Sequence, residues 1–275
     1  MSESQAVRSR AVATSYDLMG ELLAEVYGDN IHYGYWIDDD DDSPLPVAQD
    51  RLSDLLAGKL GVAGGDHVLD VGCGTGAPTR RLAVNTGATA TGITVSRWQV
   101  EQATRAAAEA GLADRVRFEL ADAAQLPFDA GTFDAAMIVE VLVHVADKRR
   151  VLAEVARVLR PGARLVIAEV VQTAPMRPEL AARWTAMPMS EVPSLSEYVD
   201  MVDGAGFTVD EAGDHTSHIR RSFAALRQAV AAGGPKLAST YGPRVLKYGQ
   251  QGVLDMQEVA EACLGYVVVT ATKPS

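Results

Sequence analysis

The middle of the chain alternates short apolar, β-branched runs with longer stretches of helical period. The runs His67–Val71, Ala90–Thr94, Val116–Leu120, Phe133–Val139 and Arg164–Val171 predict strands. Between them, Pro78–Asn85, Arg97–Ala110 and Lys148–Leu159 predict amphipathic helices. Strands that alternate with helices in this way form a parallel sheet with helices on both faces. The segment "RPGAR", Arg160–Arg164, carries the proline and glycine of a helix stop. Two later runs, Phe207–Ala212 and Gly265–Lys273, predict further strands.

Two segments fall outside this alternation. Residues 1–60 read as helix, aromatic loop and helix, and Thr216–Leu264 is a polar, helical insertion between the last two strands. Connections this long in a compact domain are usually functional lids. The expected organisation is an N-terminal lid segment at 1–60 and a main domain at 61–275 with a helical insertion at about 216–264.

Composition narrows the class. With 48% hydrophobic residues over 275 positions, the chain can bury a sizeable core. Its two cysteines, Cys73 and Cys263, cannot build a disulfide framework, and reduced thiols fit a cytoplasmic protein. There is no run of about 18 apolar residues to span a membrane. The start of the chain, "MSESQAVRSRAVATSYDL", has no apolar segment of the secretory kind. A net charge of −11 repels phosphate backbones and argues against a nucleic-acid partner. The acid run Asp38–Asp42 reads as a solvated loop, since adjacent carboxylates repel one another and do not make a cage. The stretch "YDLMGELLAEVY", Tyr16–Tyr27, shows an apolar stripe that implies a homo-oligomer unless something covers it.

The first predicted strand runs into "DVGCGTG", which places Gly72, Gly74 and Gly76 at alternate positions before a helix. Glycine lets backbone approach a ligand closely, and the helix start offers unpaired N–H groups. Dinucleotide folds share the spacing, so the glycines alone are not specific. Asp70, two residues before the first glycine, suits a positively charged group such as an α-amine and would repel a pyrophosphate.

"VLDVGCGTG" resembles the first motif of class I S-adenosylmethionine-dependent methyltransferases. The resemblance implies a Rossmann-like α/β fold with a seven-stranded, mostly parallel sheet and a helical lid. It implies S-adenosylmethionine as cofactor and S-adenosylhomocysteine as product. Asp70, Gly72 and Gly74 would then hold the methionine part. "TGITVSRWQ" carries Thr94 where most relatives carry an acid. It is similar to the G-x-T-x-S-x-x-Q variant of cyclopropane fatty-acid synthases and natural-product methyltransferases, which implies ribose contacts from Thr94 and Gln99. "ADAAQLPFDAGTFD" resembles the adenine motif, with Asp122 on the exocyclic amine and Ala123 beside the ring. Asp122 also reads as a helix N-cap.

On the acceptor side the chain is most similar to actinobacterial tailoring methyltransferases of the rifamycin and rebeccamycin type. "NIHYGYW", Asn30–Trp36, resembles their cofactor-closing loop and implies contacts from Tyr33 and Trp36, although such a cluster also reads as a packing plug. "SLSEYVDMVDGAGF" and "LGYVVVTATKP" match at the later strands. In "VEVLVHVADKRR" the family's first histidine, a general base, falls on Val143, and only His144 remains. Glu140 aligns with the family's acid. His144 and Glu140 are candidate catalytic residues, although a lone histidine among apolar neighbours also reads as structural, because neighbours on a turn point in different directions. Glu169 ends the fifth strand, where open α/β sheets place their ligands. There it could position an acceptor, stabilise a cation or, with a raised pKa, act as a base.

Val141, Leu142 and Val143 predict an apolar, base-poor site. That suits methyl transfer to a lipophilic small molecule, above all at an alkene carbon or a nucleophilic nitrogen. It also suits a methyltransferase-like cyclase that binds the cofactor and leaves its methyl in place. Trp184, Met187, Met189 and Tyr198 fit a pocket wall and a core equally. His215 and His218 have no third ligand at suitable spacing, so no metal is expected.

Overall fold

The computed structural model describes residues 3–275, with side chains except those of Glu3, Ser4 and Tyr248. Seven strands form one sheet: β1 (His67–Val71), β2 (Thr89–Thr94), β3 (Val116–Leu120), β4 (Phe133–Val139), β5 (Leu159–Gln172), β6 (Thr208–Asp214) and β7 (Leu264–Thr272). Their order is β3-β2-β1-β4-β5-β7-β6. Strands β1 to β5 pair in parallel, and β7 runs antiparallel to β5 and β6. From β1 the chain winds outward to β2 and β3, then returns to β4 on the other side. The crevice at the carboxyl ends of β1 and β4 is therefore the switch point where such sheets bind ligands.

Side chains alternate between two cores. Val68, Val166 and Val268 face one, and their neighbours Leu69, Ile167 and Val269 face the other. The first core receives α2 (Leu45–Leu60), α3 (Ala77–Thr86) and α4 (Arg97–Glu109) through Leu52, Leu82 and Ala103. The second receives α5 (Lys148–Val158) and α7 (Leu195–Gly204) through Leu152 and Val202. Each such leucine or valine contributes about 1.5–3 kcal/mol by leaving water. Both faces are covered, which is why the strands read as apolar runs.

Helix ends follow local chemistry. Ser96 caps α4 by accepting from Gln99 N, and Ser194 with Glu197 forms a capping box on α7. The expected stop at Arg160–Arg164 comes earlier: α5 ends at Val158, and Leu159 already pairs with Phe133. Pro161 and Gly162 fall instead where the β4–β5 register shifts, and Gly162 adopts φ 78. A helix, α6 (Pro178–Ala186), lies in the connection after β5, where no element was expected.

The insertion folds as α8 (Thr216–Tyr241) and α9 (Pro243–Cys263). At the other end, α1 (Glu3–Tyr27) lies along α4 and α8. Asp17 Oδ1 accepts from Ser96 Oγ (2.6 Å) and Trp98 N (3.1 Å), which ties α1 to the start of α4. Gly20 makes the approach possible, since a Cβ there would lie 2.3 Å from the Trp98 indole. The apolar stripe of α1 is thus partly covered: Leu22 is buried, whereas Leu18 stays 77% exposed. In the acidic loop, Asp41 accepts from Ile37 N and Ser43 N and pairs with Arg51. Cys73 and Cys263 are both buried free thiols. No helix among the described residues is long and apolar enough to cross a membrane.

Candidate active site

The glycine turn sits at the carboxyl end of β1. Gly72 has φ 75, and a Cβ on it would strike Val141 at 2.3 Å. Gly74 has φ 54 and open space where its Cβ would be. Asp70 is 2% exposed, and its Oδ2 accepts from Thr79 Oγ1 at 2.5 Å. No basic side chain among the described residues pairs with it, so burial pushes its carboxyl up to about 7 against the pull of Thr79. An ammonium from a ligand is the partner this carboxylate lacks.

A cleft opens over this turn. Its walls include Gly72, Gly74, Thr94, Gln99, Asp122, Ala123 and Glu140, with Gln5, Ser9, Val12 and Tyr16 of α1 across from them. Thr94 Oγ1 donates to Gln99 Oε1 at 2.5 Å, so the two expected ribose residues act as a pair. No helix starts at Asp122. Its Oδ1 instead accepts from Ala124 N (2.8 Å) in a tight turn, which removes the N-cap reading. Asp70 does not line the cleft itself but lies two residues before Gly72, which does. The set fits S-adenosylmethionine: glycine backbone for the methionine part, the Thr94–Gln99 pair for the ribose, and Asp122 with Ala123 for the adenine.

A second cavity adjoins the first, and Tyr16, Ile31, Glu140 and His144 line both. Its remaining wall is largely aromatic and aliphatic, with Tyr27, Tyr33, Trp184 and Met189, but it also holds Glu169. The base-poor site expected from Val141–Val143 is therefore not what forms. Three carboxyl or imidazole groups and three tyrosines reach the same chamber, carried by elements distant in sequence.

Glu140 is the one non-glycine residue with positive φ (54) among those described. That conformation costs about 1–2 kcal/mol. It aims the carboxyl at Tyr33 N and the Tyr266 hydroxyl, both donating to Oε1 at 2.8 Å. Burial pushes the group up to about 8, while those two donors pull it down. Glu169 is 1% exposed and accepts from Val170 N (3.0 Å) and Val143 N (3.2 Å). Burial raises it to about 7, opposed by these donors and by Lys148.

His144 ends a 3₁₀ turn, Leu142–His144, and faces the junction of the two cavities. Its Nδ1 lies 2.9 Å from Pro188 O, which can only accept, so Nδ1 carries the proton. Nε2 is left as an acceptor, with the Tyr16 hydroxyl 3.3 Å away. Burial, aided by Arg8 and Lys148, lowers the imidazole pKa against the pull of Pro188. Of the two roles open to His144, the placement accommodates both: the turn points position 144 into the site and gives Val143 N to Glu169.

The aromatic loop divides in two. Tyr33 lines the second cavity and not the first, with its ring against Phe223 and Tyr266. Trp36 lines neither; it is 3% exposed, donates to Ser43 O and stacks on His218. His32 is buried, with its Nδ1 on Tyr33 O, and burial drops its pKa to about 4. Ile31 is the loop residue that meets both cavities, and Thr75 Oγ1 ties the loop to the glycine turn through Asp29 O (2.7 Å). Of the ambiguous residues, Trp184 and Met189 are chamber wall, and Tyr198 is core. Met187 packs partly buried against the first core. His218 Nδ1 accepts from Trp36 N (3.2 Å), and the His215 ring lies tilted beside it.

Sequence reasoning missed Gln5, Ser9, Val12 and Tyr16. Their spacing puts them on one face of α1, and that was the available signal, but nothing local says what the face covers.

Comparison with known proteins agrees with this fold and with S-adenosylmethionine as cofactor. The family described as methyltransferase domain matches residues 69–167. Methyltransferase GfsG of Streptomyces halstedii is 37% identical over 97% of this chain and 95% of its own. The 27-O-demethylrifamycin SV methyltransferase of Amycolatopsis mediterranei is 36% identical over 96% of this chain and 97% of its own. Among solved structures, the [4+2]-cyclase SpnF is 36% identical and superposes with a TM-score of 0.85, covering 97% of this chain and 96% of that one.

Proposed function

The chain belongs to the class I S-adenosylmethionine-dependent methyltransferases related to natural-product tailoring enzymes, and we propose that it methylates a hydroxyl of a lipophilic small molecule with His144 as general base. The observation that carries this reading is the His144 geometry: Nδ1–H fixed on Pro188 O, and Nε2 facing the junction of both cavities, where it accepts from the Tyr16 hydroxyl. The Tyr16 hydroxyl, 3.3 Å from Nε2, marks where an acceptor oxygen can sit.

The cofactor supplies an electrophilic methyl group on a positively charged sulfur. The chain's own residues do the rest. Gly72, Gly74, Thr94, Gln99 and Asp122 orient the cofactor, and α1 with Ile31 excludes water from it. Trp184, Met189, Val143 and Val170 bind the apolar body of the acceptor. His144 Nε2 takes the hydroxyl proton as attack proceeds, a role worth about 10²–10⁴ in rate. Glu140 and Glu169 line the same chamber.

A base in the wall favours an O–H acceptor over the alkene carbon expected from Val141–Val143. The relative acting on 27-O-demethylrifamycin SV supports an oxygen acceptor by its name. A second reading, cyclisation without methyl transfer, is kept by the 36% identity to the SpnF cyclase. One experiment separates the two. The enzyme is incubated with methyl-deuterated cofactor and a panel of hydroxylated polyketides and terpenoids, and products are read by mass. One labelled methyl on oxygen, with one S-adenosylhomocysteine released, is expected. A labelled methyl on carbon, or an isomerised product with the cofactor intact, overturns the O-methyl reading.

A further inference from the structure

Behind the chamber wall lies a buried polar network that the methyl-transfer reading leaves unused. Lys148, the first residue of α5, is 7% exposed, and its Nζ donates to Ser190 Oγ (2.6 Å) and Val145 O (2.9 Å). Since the ammonium only donates, the Ser190 hydroxyl must accept from it and turn its single hydrogen to backbone, with Val143 O at 2.8 Å. Ser190 N donates to the same carbonyl at 2.6 Å. Trp184 Nε1 closes the network on Ser190 O at 2.7 Å.

Residues 188–190 are thereby fastened alongside the 3₁₀ turn. Two residues before Ser190 stands Pro188, whose carbonyl holds His144 Nδ1. Across the turn, Glu169 Oε2 accepts from Val143 N, so the peptide groups on both sides of Val143 are held. From α1, Arg8 donates to Met189 O at 2.7 Å. Burying an ammonium costs several kcal/mol that an apolar side chain of similar length would avoid. Packing alone does not explain a lysine at this position.

We propose that Lys148 and Ser190 are positioning residues for His144: without touching the imidazole, they lock residues 188–190 against the turn, so that Nδ1 keeps its proton on Pro188 O and Nε2 stays an acceptor at the cavity junction. The proposal rests on reading His144 as the base. The partner of one ring nitrogen decides which nitrogen carries the proton, so a loose Pro188 carbonyl means a mixed tautomer and a weaker base. The charged and titratable groups around the ring are Arg8 and Tyr16 on α1, Lys148 on α5, Glu140 after β4 and Glu169 on β5. Of these, Arg8 and Lys148 oppose a positive charge on His144.

The test needs neither acceptor nor cofactor. The whole chain is labelled with ¹⁵N-histidine, and the His144 ring nitrogens are assigned by their loss in His144→Ala. The unmodified protein shows one tautomer near neutral pH, with the proton on Nδ1. In Lys148→Met and in Ser190→Ala the tautomer ratio shifts roughly five- to tenfold toward Nε2–H, the size expected for losing one hydrogen bond. In Lys148→Met the titration midpoint of His144 also rises, because a nearby positive charge is gone. Should Lys148→Met fail to fold, the Ser190→Ala spectrum decides alone. A folded variant that keeps the single tautomer overturns the proposal. An active His144→Ala enzyme would instead overturn the base assignment, and the tautomer measurement tells the two failures apart.

Discussion

Replacing Gly72 by alanine tests how the cofactor cleft is assembled, because two separable costs meet at one atom. The backbone has φ 75, and the new Cβ would lie 2.3 Å from Val141 Cγ2, 2.9 Å from Cγ1 and 3.2 Å from Cβ. Left-handed backbone costs an alanine about 1–2 kcal/mol. The clash with a packed valine costs about 1–3 kcal/mol more, so Gly72→Ala loses on the order of 2–5 kcal/mol. Val141→Ala removes both γ carbons and leaves only the 3.2 Å contact. Added to Gly72→Ala, it recovers the clash and not the backbone cost, a coupling of about 1–3 kcal/mol in a double-mutant cycle. Urea unfolding measures the four proteins, and calorimetry with S-adenosylhomocysteine follows the cleft, since both residues line it. Gly74→Ala is the contrast. With no atom within 4 Å of its Cβ it loses only the backbone part in stability, yet its affinity falls because the methyl enters the cleft. If Val141→Ala deepens the Gly72→Ala defect, the close approach of these two turns is not the constraint.

Four further outcomes follow from the same geometry. Asp70 is held near 7 by burial, and a ligand ammonium favours its charged form, so cofactor binding below that pH releases protons. Calorimetry in two buffers of different ionisation heat reads the release, and Asp70→Asn should abolish the buffer dependence. Asp70, Glu140 and Glu169 all have folded pKa values raised to about 7 or 8, so their stabilising protons are lost as pH rises through those values. His32, lowered from 6.5 to about 4, acts in the opposite sense only below 6.5. The urea midpoint of the cofactor-free protein should therefore fall from pH 6.5 to about 8, and a rise there would refute the assignment. S-adenosylhomocysteine should slow hydrogen exchange at Asn30–Tyr33, because Ile31 lines the cleft and Asp29 O is bonded to the glycine turn; unchanged exchange reduces the loop to packing. His144→Ala should lower kcat by about 10²–10⁴, and Glu169→Gln by less, since its carbonyl can still accept from backbone; the reverse ranking would make Glu169 the base.

What the sequence revealed follows from what is local. The strand positions and the glycine turn are set by neighbours within a few residues, and there the period and the motif were sufficient. Thr94 and Gln99 lie five apart and bond directly, so their pairing was readable as one motif. The second cavity was not readable, because it is made by distance: Tyr16 reaches His144 across 128 positions, and Tyr266 reaches Glu140 across 126. His144, for which a catalytic and a structural role both stood open, shows the same limit at close range. A turn of three residues can present either of two neighbours, and the choice was made by Glu169 taking Val143 N and by Pro188 taking the imidazole proton. Those partners come from the end of β5 and from the segment after α6, the helix that sequence periodicity did not disclose. Valine stands at 143 and an imidazole still enters the chamber from 144, because the groups that orient the turn, and not the residue at 143, determine which side chain points inward.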